Sequence, residues 1–179
     1  MYLTQGLHRA VQSTPDAVAT VFGDRERTFR EHVDRIARFA GALQGLGVQS
    51  GGRVAMLSLN SDRYAEYLLA VPWADAVLNP VNIRWSPREI AYSLNDSGTE
   101  VLLVDDTFVP GVAPLREACP GVHTFVYCGE AEAPEGTVSY EELVAGSDHV
   151  PDARRSDDEI AGVFYTGGTT GFPKGVMLS

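Results

Sequence analysis

Apolar residues recur along the chain in two patterns, one typical of helices and one typical of buried strands. After Thr28, apolar residues lie three or four positions apart until Gly45 and Gly47, which predicts an amphipathic helix that packs by one face. Glu31 completes a capping box with Thr28, so we expect the helix to begin at that threonine. Later in the chain, strand-like apolar runs occur in four segments: SGGRVAMLSLN, AVLNPVN, EVLLVDD and HTFVYC.

Helical patterns separate these strand-like runs. One begins near Ser61 and is broken at Pro72, and a second begins at a capping box formed by Ser86 and Glu89. A short third helix is predicted after Ser139. Strands that alternate with helices of this length are typical of crossover units. The sequence therefore predicts an α/β fold with a partly parallel sheet flanked by helices.

The chain divides into two predicted parts. Residues 1–50 contain a hairpin around Gly23-Asp24 and the first helix, and we expect them to belong to a subdomain completed by later sequence. Residues 51–179 are predicted to form an α/β subdomain that ends in a glycine-rich loop. The segment AGSDHVPDARRSDDE is predicted to be a polar linker within this second part.

Charge and composition restrict the classes of ligand and the location. The formal net charge is -10 and the sequence pI about 4.7, so a nucleic-acid-binding surface is not expected. The N-terminal segment has no signal-peptide pattern, and Pro72, Asp75 and Pro80 interrupt the most apolar stretch. We therefore expect a cytoplasmic protein without a transmembrane segment. Cys119 and Cys128 lack zinc-type spacing and are predicted to be buried or idle thiols.

The stretch YTGGTTGFPKGVMLS follows a strand-like run and has the chemistry of an anion-binding loop. Its glycines let backbone N–H groups point into one concavity, its threonines add hydroxyl donors, and Lys174 adds a positive charge. Lys174 lies between Pro173 and Gly175, which excludes a Walker loop, and the stretch lacks the dinucleotide-binding glycine pattern. A glycine-threonine hairpin turn without a ligand is the alternative that these residues leave open.

The string TGGTTGFPKG resembles the phosphate-binding signature of the adenylate-forming superfamily, which comprises acyl-CoA synthetases, luciferases and the adenylation domains of peptide synthetases. The usual signature is Thr-Ser-Gly-Thr-Thr-Gly, any residue, then Pro-Lys-Gly, so the chain differs at Gly167, where serine is common. The segment AVLNPVNIRWSPREIAYSLNDSGTEVLLVDD is also similar to the family. Just before that segment, Asp75 stands where the family tends to have glycine. The resemblance extends over essentially the whole chain.

The resemblance implies ATP-dependent activation of a carboxylic acid, with a fatty acid as the expected substrate, to an acyl-adenylate and then a thioester with coenzyme A. The implied cofactors and cosubstrates are ATP, Mg²⁺ and coenzyme A, and the implied partners are small molecules. The residues implied to contact or shape the pyrophosphate site are Thr166, Gly167, Gly168, Thr169, Thr170, Gly171 and Lys174. The family's catalytic lysine lies beyond Ser179, so no catalytic or metal-binding residue is expected in this chain.

Further elements of the family follow its phosphate loop. We therefore expect this chain to be roughly the N-terminal third of an enzyme and to be inactive alone. In the family the early hairpin and helix pack on later sequence, so part of the surface from Thr28 to Gly47 is expected to be unusually apolar. We expect this surface to cause partial homodimer formation or marginal stability. Two alternatives stay open: an aryl-acid or amino-acid adenylation domain, and a noncatalytic nucleotide-binding or interaction module.

Several other residues have a chemical interpretation and a structural one. Asp105-Asp106 and residues 157–159 could bind a metal, but solvated strand-end and linker carboxylates are expected. Arg84 could contact a phosphate, although a structural ion pair is expected. Three aromatic side chains could line an acyl site but are expected to pack in the core: Tyr67, Trp73 and Trp85.

Overall fold

The computed structural model describes residues 2–167 and 171–179 of the chain. Its helices and strands are, in chain order, α1 (Gln5–Ser13), β1 (Val18–Phe22), β2 (Arg25–Thr28), α2 (Phe29–Gly45), β3 (Arg53–Leu57), α3 (Asp62–Trp73), β4 (Val77–Pro80), α4 (Pro87–Ser97), β5 (Thr99–Val104), α5 (Val112–Ala118), β6 (Thr124–Tyr127), β7 (Val138–Ser139), α6 (Tyr140–Gly146), β8 (Gly162–Thr166) and β9 (Lys174–Leu178). A single turn of 3₁₀-helix at Val109–Gly111 leads into α5. β1 and β2 form an antiparallel hairpin, as predicted, and the other seven strands form one sheet.

The sheet has the strand order β7-β6-β5-β3-β4-β8-β9. Parallel pairing joins all neighbours from β7 to β8, with Val54 of β3 opposite Leu78 of β4 on one side and Val101 of β5 on the other. β9 pairs with β8 in the antiparallel direction. The predicted α/β fold is confirmed, and the sheet is parallel except at this edge.

Alternate residues of the central strands face two different helical layers. Val54 and Met56 of β3 pack in a core with α2, α3 and α6, whereas Ala55 and Leu57 pack with α4 and α5. This period of two follows from the pleat of a strand, and it explains why β3 is apolar on both faces. Helices thus cover both faces of the sheet, which leaves its strand ends as the places where a ligand can approach.

The two predicted capping boxes both form. The backbone N–H of Thr28 donates to Glu31 Oε2 at 2.8 Å, and that of Ser86 donates to Glu89 Oε2 at 2.9 Å. In each box the glutamate N–H also donates to the hydroxyl of the capping residue, which fixes the first turn of α2 and of α4. Helix α3 ends at Trp73, one residue beyond the proline expected to break it.

Eight charged side chains form a closed ring of ion pairs that fastens the hairpin and α2 to α3. Four arginines alternate with four carboxylates around this ring, in the order Arg25, Asp62, Arg27, Glu66, Arg35, Glu141, Arg63 and Glu130, which pairs again with Arg25. The N···O distances range from 2.6 to 3.4 Å. Glu66 is fully buried and also accepts a hydrogen bond from the Tyr140 hydroxyl at 2.7 Å. Because the two signs of charge are equal in number, the ring buries no net charge.

Helix α2 shares its core with the sheet. Ile36, Phe39 and Leu43 of α2 are fully buried and belong to the same cluster as Met56 and Leu103. Residues on both sides of position 50 therefore pack together. The division of the chain into parts at that position stays a prediction.

The expectation of an apolar surface between Thr28 and Gly47 is wrong. Within the described residues, no large apolar side chain of that segment is exposed, because α3 and α6 cover the apolar face of α2. Two strands, β1 and β9, carry six large apolar side chains that are exposed: Val18, Val21, Phe22, Val176, Met177 and Leu178. This distribution does not support a homodimer through α2.

Asp75 has a left-handed backbone with a φ of 65°, a conformation that glycine adopts most readily. Aspartate tolerates this region better than most residues do. Arg155 Nη1 donates to the Asp75 carboxylate at 2.6 Å and to the Asp75 carbonyl at 2.8 Å. The departure from glycine at this position is therefore accommodated by a local ion pair.

Cys119 and Cys128 are both buried, as predicted, and both are free thiols. Burial raises the pKa of the Cys128 thiol to about 12, so this group stays protonated at neutral pH.

Across the described ranges, no helix combines the length and the apolar character needed to cross a membrane.

We expect Glu66→Gln to lower the free energy of unfolding by about 3 kcal/mol, because it removes the fully buried carboxylate of the ring and leaves Arg27 and Arg35 with one partner each. Urea denaturation measures this change. Asp16→Asn is the matched control, since its pair with Arg30 is exposed and its loss should change the free energy by less than about 0.5 kcal/mol. Equal effects of the two substitutions would contradict the role given to the ring.

His32 is buried beside the ring, near Arg27, Arg35, Asp62 and Glu66, and burial holds the pKa of its imidazole below the usual value. The unfolded chain binds a proton at His32 more readily than the folded chain, so stability is lost as the pH falls below about 6.5. We expect His32→Gln to weaken the pH dependence of the unfolding free energy between about pH 7.5 and 5.5. Urea unfolding at several pH values tests this, and an unchanged pH dependence would refute it.

Candidate phosphate-binding site

The carboxyl ends of the parallel strands meet at one edge of the sheet, where ligands bind in open α/β folds. β8 runs parallel to β4 and ends at Thr166, so the glycine-rich loop leaves the sheet at this edge. β9 begins at Lys174 and returns antiparallel, which places Lys174 directly opposite Thr166. The Thr166 hydroxyl donates to the Lys174 carbonyl at 3.5 Å. These two predicted site residues therefore flank the mouth of one loop.

Four of the seven predicted site residues are described, and all four are exposed: Thr166, Gly167, Gly171 and Lys174. The other three lie outside the described residues: Gly168, Thr169 and Thr170. Pro173, next to Lys174, is buried, and its ring fixes its φ. The backbone just before β9 therefore has little conformational freedom. Exposed hydroxyl, ammonium and backbone groups at a strand end are chemically suited to an anionic ligand.

The residue that precedes Thr166 is held by α4. The Tyr165 hydroxyl donates to Asp96 Oδ2 at 2.6 Å, and the Trp85 ring meets the Tyr165 ring edge-on with centroids 6.2 Å apart. Burial and, secondarily, the Asp96 carboxylate raise the pKa of Tyr165, so its hydroxyl remains a hydrogen-bond donor at neutral pH. The end of β8 is therefore attached to α4 as well as to the sheet.

A second contact with α4 holds the far side of the loop. The Phe172 ring stacks on the Tyr92 ring with centroids 4.6 Å apart, and the Arg88 guanidinium lies 5.2 Å from the centroid of the Phe172 ring. The sequence motif does not select these residues, since Phe172 occupies its variable position. A usable signal was the four-residue spacing of Arg88, Tyr92 and Asp96, which places all three on one face of α4.

The acidic candidates outside the loop hold the backbone together. Asp105 Oδ2 accepts from the Leu59 N–H at 2.7 Å, and Asp106 accepts from the Tyr127 hydroxyl and from the Glu130 N–H, the latter at 2.8 Å. Both carboxylates lie at strand ends, as predicted, but they accept hydrogen bonds from the protein instead of being only solvated. The run at 157–159 is exposed, and within the described part of the chain no group of three or more acidic, histidine or cysteine side chains could hold a metal ion.

Two of the three aromatic candidates are core residues, as predicted. Tyr67 and Trp73 are buried, and the Tyr67 hydroxyl donates to the Val54 carbonyl at 2.8 Å. Trp85 differs, because it is only partly buried against the core of α4 and α5 and also lies beside the loop. A Cβ added to Gly167 would lie 4.0 Å from Trp85 Nε1. Trp85 is therefore a neighbour of the loop that the sequence did not indicate.

The expectation of an ion pair for Arg84 is wrong. No carboxylate among the described residues pairs with its side chain, which is exposed. The Arg84 backbone N–H donates instead to Asn82 Oδ1 at 3.0 Å. The Asn82 side chain thus closes the turn between β4 and α4, and this turn leaves the Arg84 guanidinium in solvent.

Two cavities lie at the two opposite strand ends of the sheet. One, of about 710 Å³, is lined by the start of α1, residues 155–161 and Ser179, at the edge where β8 begins. The other, of about 280 Å³, is lined by residues 58–60, Tyr64 and residues 81–83, which follow the carboxyl ends of β3 and β4. The smaller cavity shares its edge with the loop, so its position favours it as an extension of the candidate site.

Close packing at the start of β9 requires glycine at position 175. A Cβ on Gly175 would lie 2.9 Å from Val163 Cγ1 and 3.1 Å from the Tyr165 ring, whereas a Cβ on Gly171 would meet no described atom within 4 Å. We expect Gly175→Ala to lower the free energy of unfolding by about 1–3 kcal/mol through overpacking. Gly171→Ala is the control and should change it by less than about 0.5 kcal/mol. Urea denaturation compares the two, and equal stability would contradict the packing described.

Comparison with known proteins places this geometry in a family. The family model of the AMP-binding enzymes matches residues 7–179. Among solved structures, the anthranilate CoA ligase AuaEII in complex with anthranoyl-AMP superposes with a TM-score of 0.92 at 28% identity, over 98% of this chain and 34% of that one. ATP-bound MatB from Rhodopseudomonas palustris superposes with a TM-score of 0.80 at 28% identity, over 100% of this chain and 35% of that one.

Curated relatives agree with this placement. A long-chain-fatty-acid–CoA ligase of Thermus thermophilus is 43% identical over 152 residues, which cover 85% of this chain and 28% of that protein. The 4-hydroxybutyrate–CoA ligase 2 of Metallosphaera sedula is 30% identical and covers 96% of this chain, which corresponds to 33% of its own length. The chain thus spans about a third of the length of the curated relatives it matches. It belongs to the AMP-binding enzyme family, the adenylate-forming enzymes that its loop sequence resembles.

Proposed function

We propose that this chain supplies the phosphate-binding part of an acid–thiol ligase, which activates a carboxylic acid with ATP and then transfers the acyl group to coenzyme A. The single observation that carries this proposal is the position of Thr166 opposite Lys174, at the mouth of a glycine-threonine loop on the carboxyl edge of the sheet. The names of the relatives, all CoA ligases acting on carboxylic acids, support the reaction class.

The exposed groups at the loop mouth are suited to the charge that this reaction moves. In the first step a carboxylate oxygen attacks the α-phosphorus of ATP, the bond from that phosphorus to the bridging oxygen breaks, and pyrophosphate leaves with the electron pair. The ammonium of Lys174 and the hydroxyl of Thr166 would stabilise the charge that develops on the leaving group. Gly167 would contribute only its backbone N–H. Since the chain carries a net charge of -10, the attraction for phosphate must be local to this loop.

A fatty acid is the substrate we propose, because the relative with 43% identity is a long-chain-fatty-acid–CoA ligase. An aryl acid is the second candidate. Feruloyl-CoA synthases of Amycolatopsis and Streptomyces are 34% identical over 171 residues, and AuaEII is an anthranilate ligase. A noncatalytic nucleotide-binding module is the alternative from a different class.

Mg²⁺ is expected to accompany ATP in this reaction, since the ion neutralises phosphate charge. The carboxylate beside the loop, Asp96, is already engaged by the Tyr165 hydroxyl, and the described residues include no group of metal ligands. The described part of this chain therefore does not fit a resident metal site. We assign no step of the reaction to a metal held by these residues.

We further propose that the 179-residue chain is inactive by itself and that it acts in the cytoplasm. The first proposal is supported by the role of the loop, which binds the leaving group and does not by itself supply an acyl pocket or an adenine site. Its relatives are about three times as long. Both statements remain predictions.

The test is carboxylate-dependent exchange of pyrophosphate into ATP, with panels of fatty and aryl acids, on this chain and on a polypeptide extended to the length of the relatives. We expect no exchange with the 179-residue chain and measurable exchange with the longer protein. Lys174→Ala in the longer protein should lower the exchange rate by about 10- to 100-fold, since a charge-assisted contact is lost. Arg30→Ala, which removes an exposed cation of α2, on the face of the sheet opposite α4, should leave the rate unchanged.

Exchange by the 179-residue chain would contradict its proposed inactivity. An extended protein that binds ATP but shows no acid-dependent exchange would favour the noncatalytic module. Equal rates for Lys174→Ala and the unsubstituted protein would remove Lys174 from the proposed site.

A further inference from the structure

One face of α4 contacts both sides of the candidate phosphate loop. Arg88, Tyr92 and Asp96 are spaced by four residues, so their side chains lie in a row along the helix. Phe172, near the end of the loop, contacts the first two of these side chains, and Tyr165, before the loop, contacts the third. We call the three helical residues the α4 row.

The contact near the end of the loop is aromatic. The Tyr92 and Phe172 rings are inclined by 22° with their centroids 4.6 Å apart, which is the range for offset stacking. The Arg88 guanidinium lies 5.2 Å from the centroid of the same Phe172 ring, within the distance of a cation–π contact. The Phe172 side chain is still 47% exposed, so this packing is a specific contact at the surface and not burial in a core.

The contact before the loop is a hydrogen bond to the same row. Tyr165 donates to Asp96 Oδ2 at 2.6 Å, and the Tyr92 hydroxyl lies 3.5 Å from Asp96 Oδ1. Asp96 therefore links the aromatic contact on one side of the loop to the hydrogen bond on the other. Both ends of the loop are attached to one rigid helix.

Each attached residue lies close in sequence to a group that would meet phosphate. Tyr165 directly precedes Thr166, and Phe172 precedes Lys174 by two positions with the buried Pro173 between them. Fixing both flanks limits the relative displacement of Thr166 and Lys174 before a ligand arrives. Less conformational entropy then remains to be lost on binding, which raises the affinity for the same set of contacts.

We propose that Tyr92 is a positioning residue for the phosphate loop, which it holds through Phe172, while Asp96 on the same row holds Tyr165. This inference rests on the proposed function, because the loop is taken to bind polyphosphate. Tyr92 touches neither nucleotide nor acid in this arrangement and acts only through Phe172. Phe172 fills the variable position of the loop signature, and its ring makes the contact with Tyr92.

The first experiment measures the affinity of the 179-residue chain for pyrophosphate by isothermal titration calorimetry. Tyr92→Leu and Phe172→Leu should each weaken binding by about two- to tenfold, the loss expected for one aromatic pair. The double variant should bind no more weakly than the weaker-binding of the two single variants, because both substitutions remove the same stacking contact. Tyr92→Phe keeps the ring and should bind within about twofold of the unsubstituted chain. Lys174→Ala tests the phosphate site itself and should weaken binding without any change at the aromatic pair.

Thermal unfolding of each variant separates positioning from a general loss of stability. Because Phe172 is half-exposed, Phe172→Leu should leave the unfolding midpoint close to that of the unsubstituted chain while it weakens binding. If Tyr92→Leu and Phe172→Leu bind pyrophosphate as tightly as the unsubstituted chain, while Lys174→Ala does not, the positioning role is overturned and the phosphate site stands. Additive losses in the double variant would also overturn it.

A second experiment measures the position of the loop without a ligand. Amide resonances of Lys174 and Gly175 in the ligand-free ¹⁵N-labelled chain report the position of the loop exit. These resonances should shift in Tyr92→Leu and in Phe172→Leu but stay in place in Tyr92→Phe. If these resonances shift but the chain binds no pyrophosphate, the result counts against the proposed function and supports the positioning of the loop by Tyr92. If the resonances do not move in any variant, the positioning role is overturned.

Discussion

The position of the phosphate loop depends on a short parallel contact between β4 and β8. Leu78 lies opposite Gly162, and the Leu78 N–H donates to the Ala161 carbonyl at 3.0 Å. A Cβ on Gly162 would lie 2.6 Å from the Phe164 ring and 3.2 Å from the Leu78 carbonyl, so only glycine lets the strands approach this closely. Since few hydrogen bonds make this contact, the loop needs further attachment to hold a fixed position.

Helix α4 provides this further attachment, and its own position is well determined. The capping box at Ser86 fixes its first turn, and Ile90 and Leu94 anchor its inner side in the core beneath the sheet. Its outer row then contacts Tyr165 and Phe172 on the two sides of the loop. A chain of contacts therefore leads from local capping through core packing to the groups that we propose bind phosphate.

Much of this architecture was predictable because it is encoded locally. Capping boxes involve residues three apart, and buried parallel strands are continuous apolar runs, so helix starts, strands and fold class follow from short stretches of sequence. Helices α1 and α5 were not predictable in this way, since α1 buries only Leu7 and neither helix begins at a side-chain cap, in contrast to the equally short α6. The residues of the loop itself were identified from the resemblance of their order to a known signature.

Features that depend on distant pairs could not be predicted. The ring of ion pairs joins residues as far apart as Arg25 and Glu130, and no local pattern distinguishes its arginines from solvated ones. The same limit explains why α2 is covered by α3 and α6 instead of presenting an apolar surface. Phe172 and Tyr92 form a third case, because their contact requires the loop to fold back on α4.

Titration of the ¹⁵N-labelled chain with pyrophosphate, followed by the amide resonances, tests directly whether this loop binds phosphate. We expect the largest shifts at the loop mouth, at Gly167, Gly171 and Lys174. Shifts concentrated at the cavity lined by residues 155–161, or an equal response in Lys174→Ala, would contradict the assignment of this loop as a phosphate site.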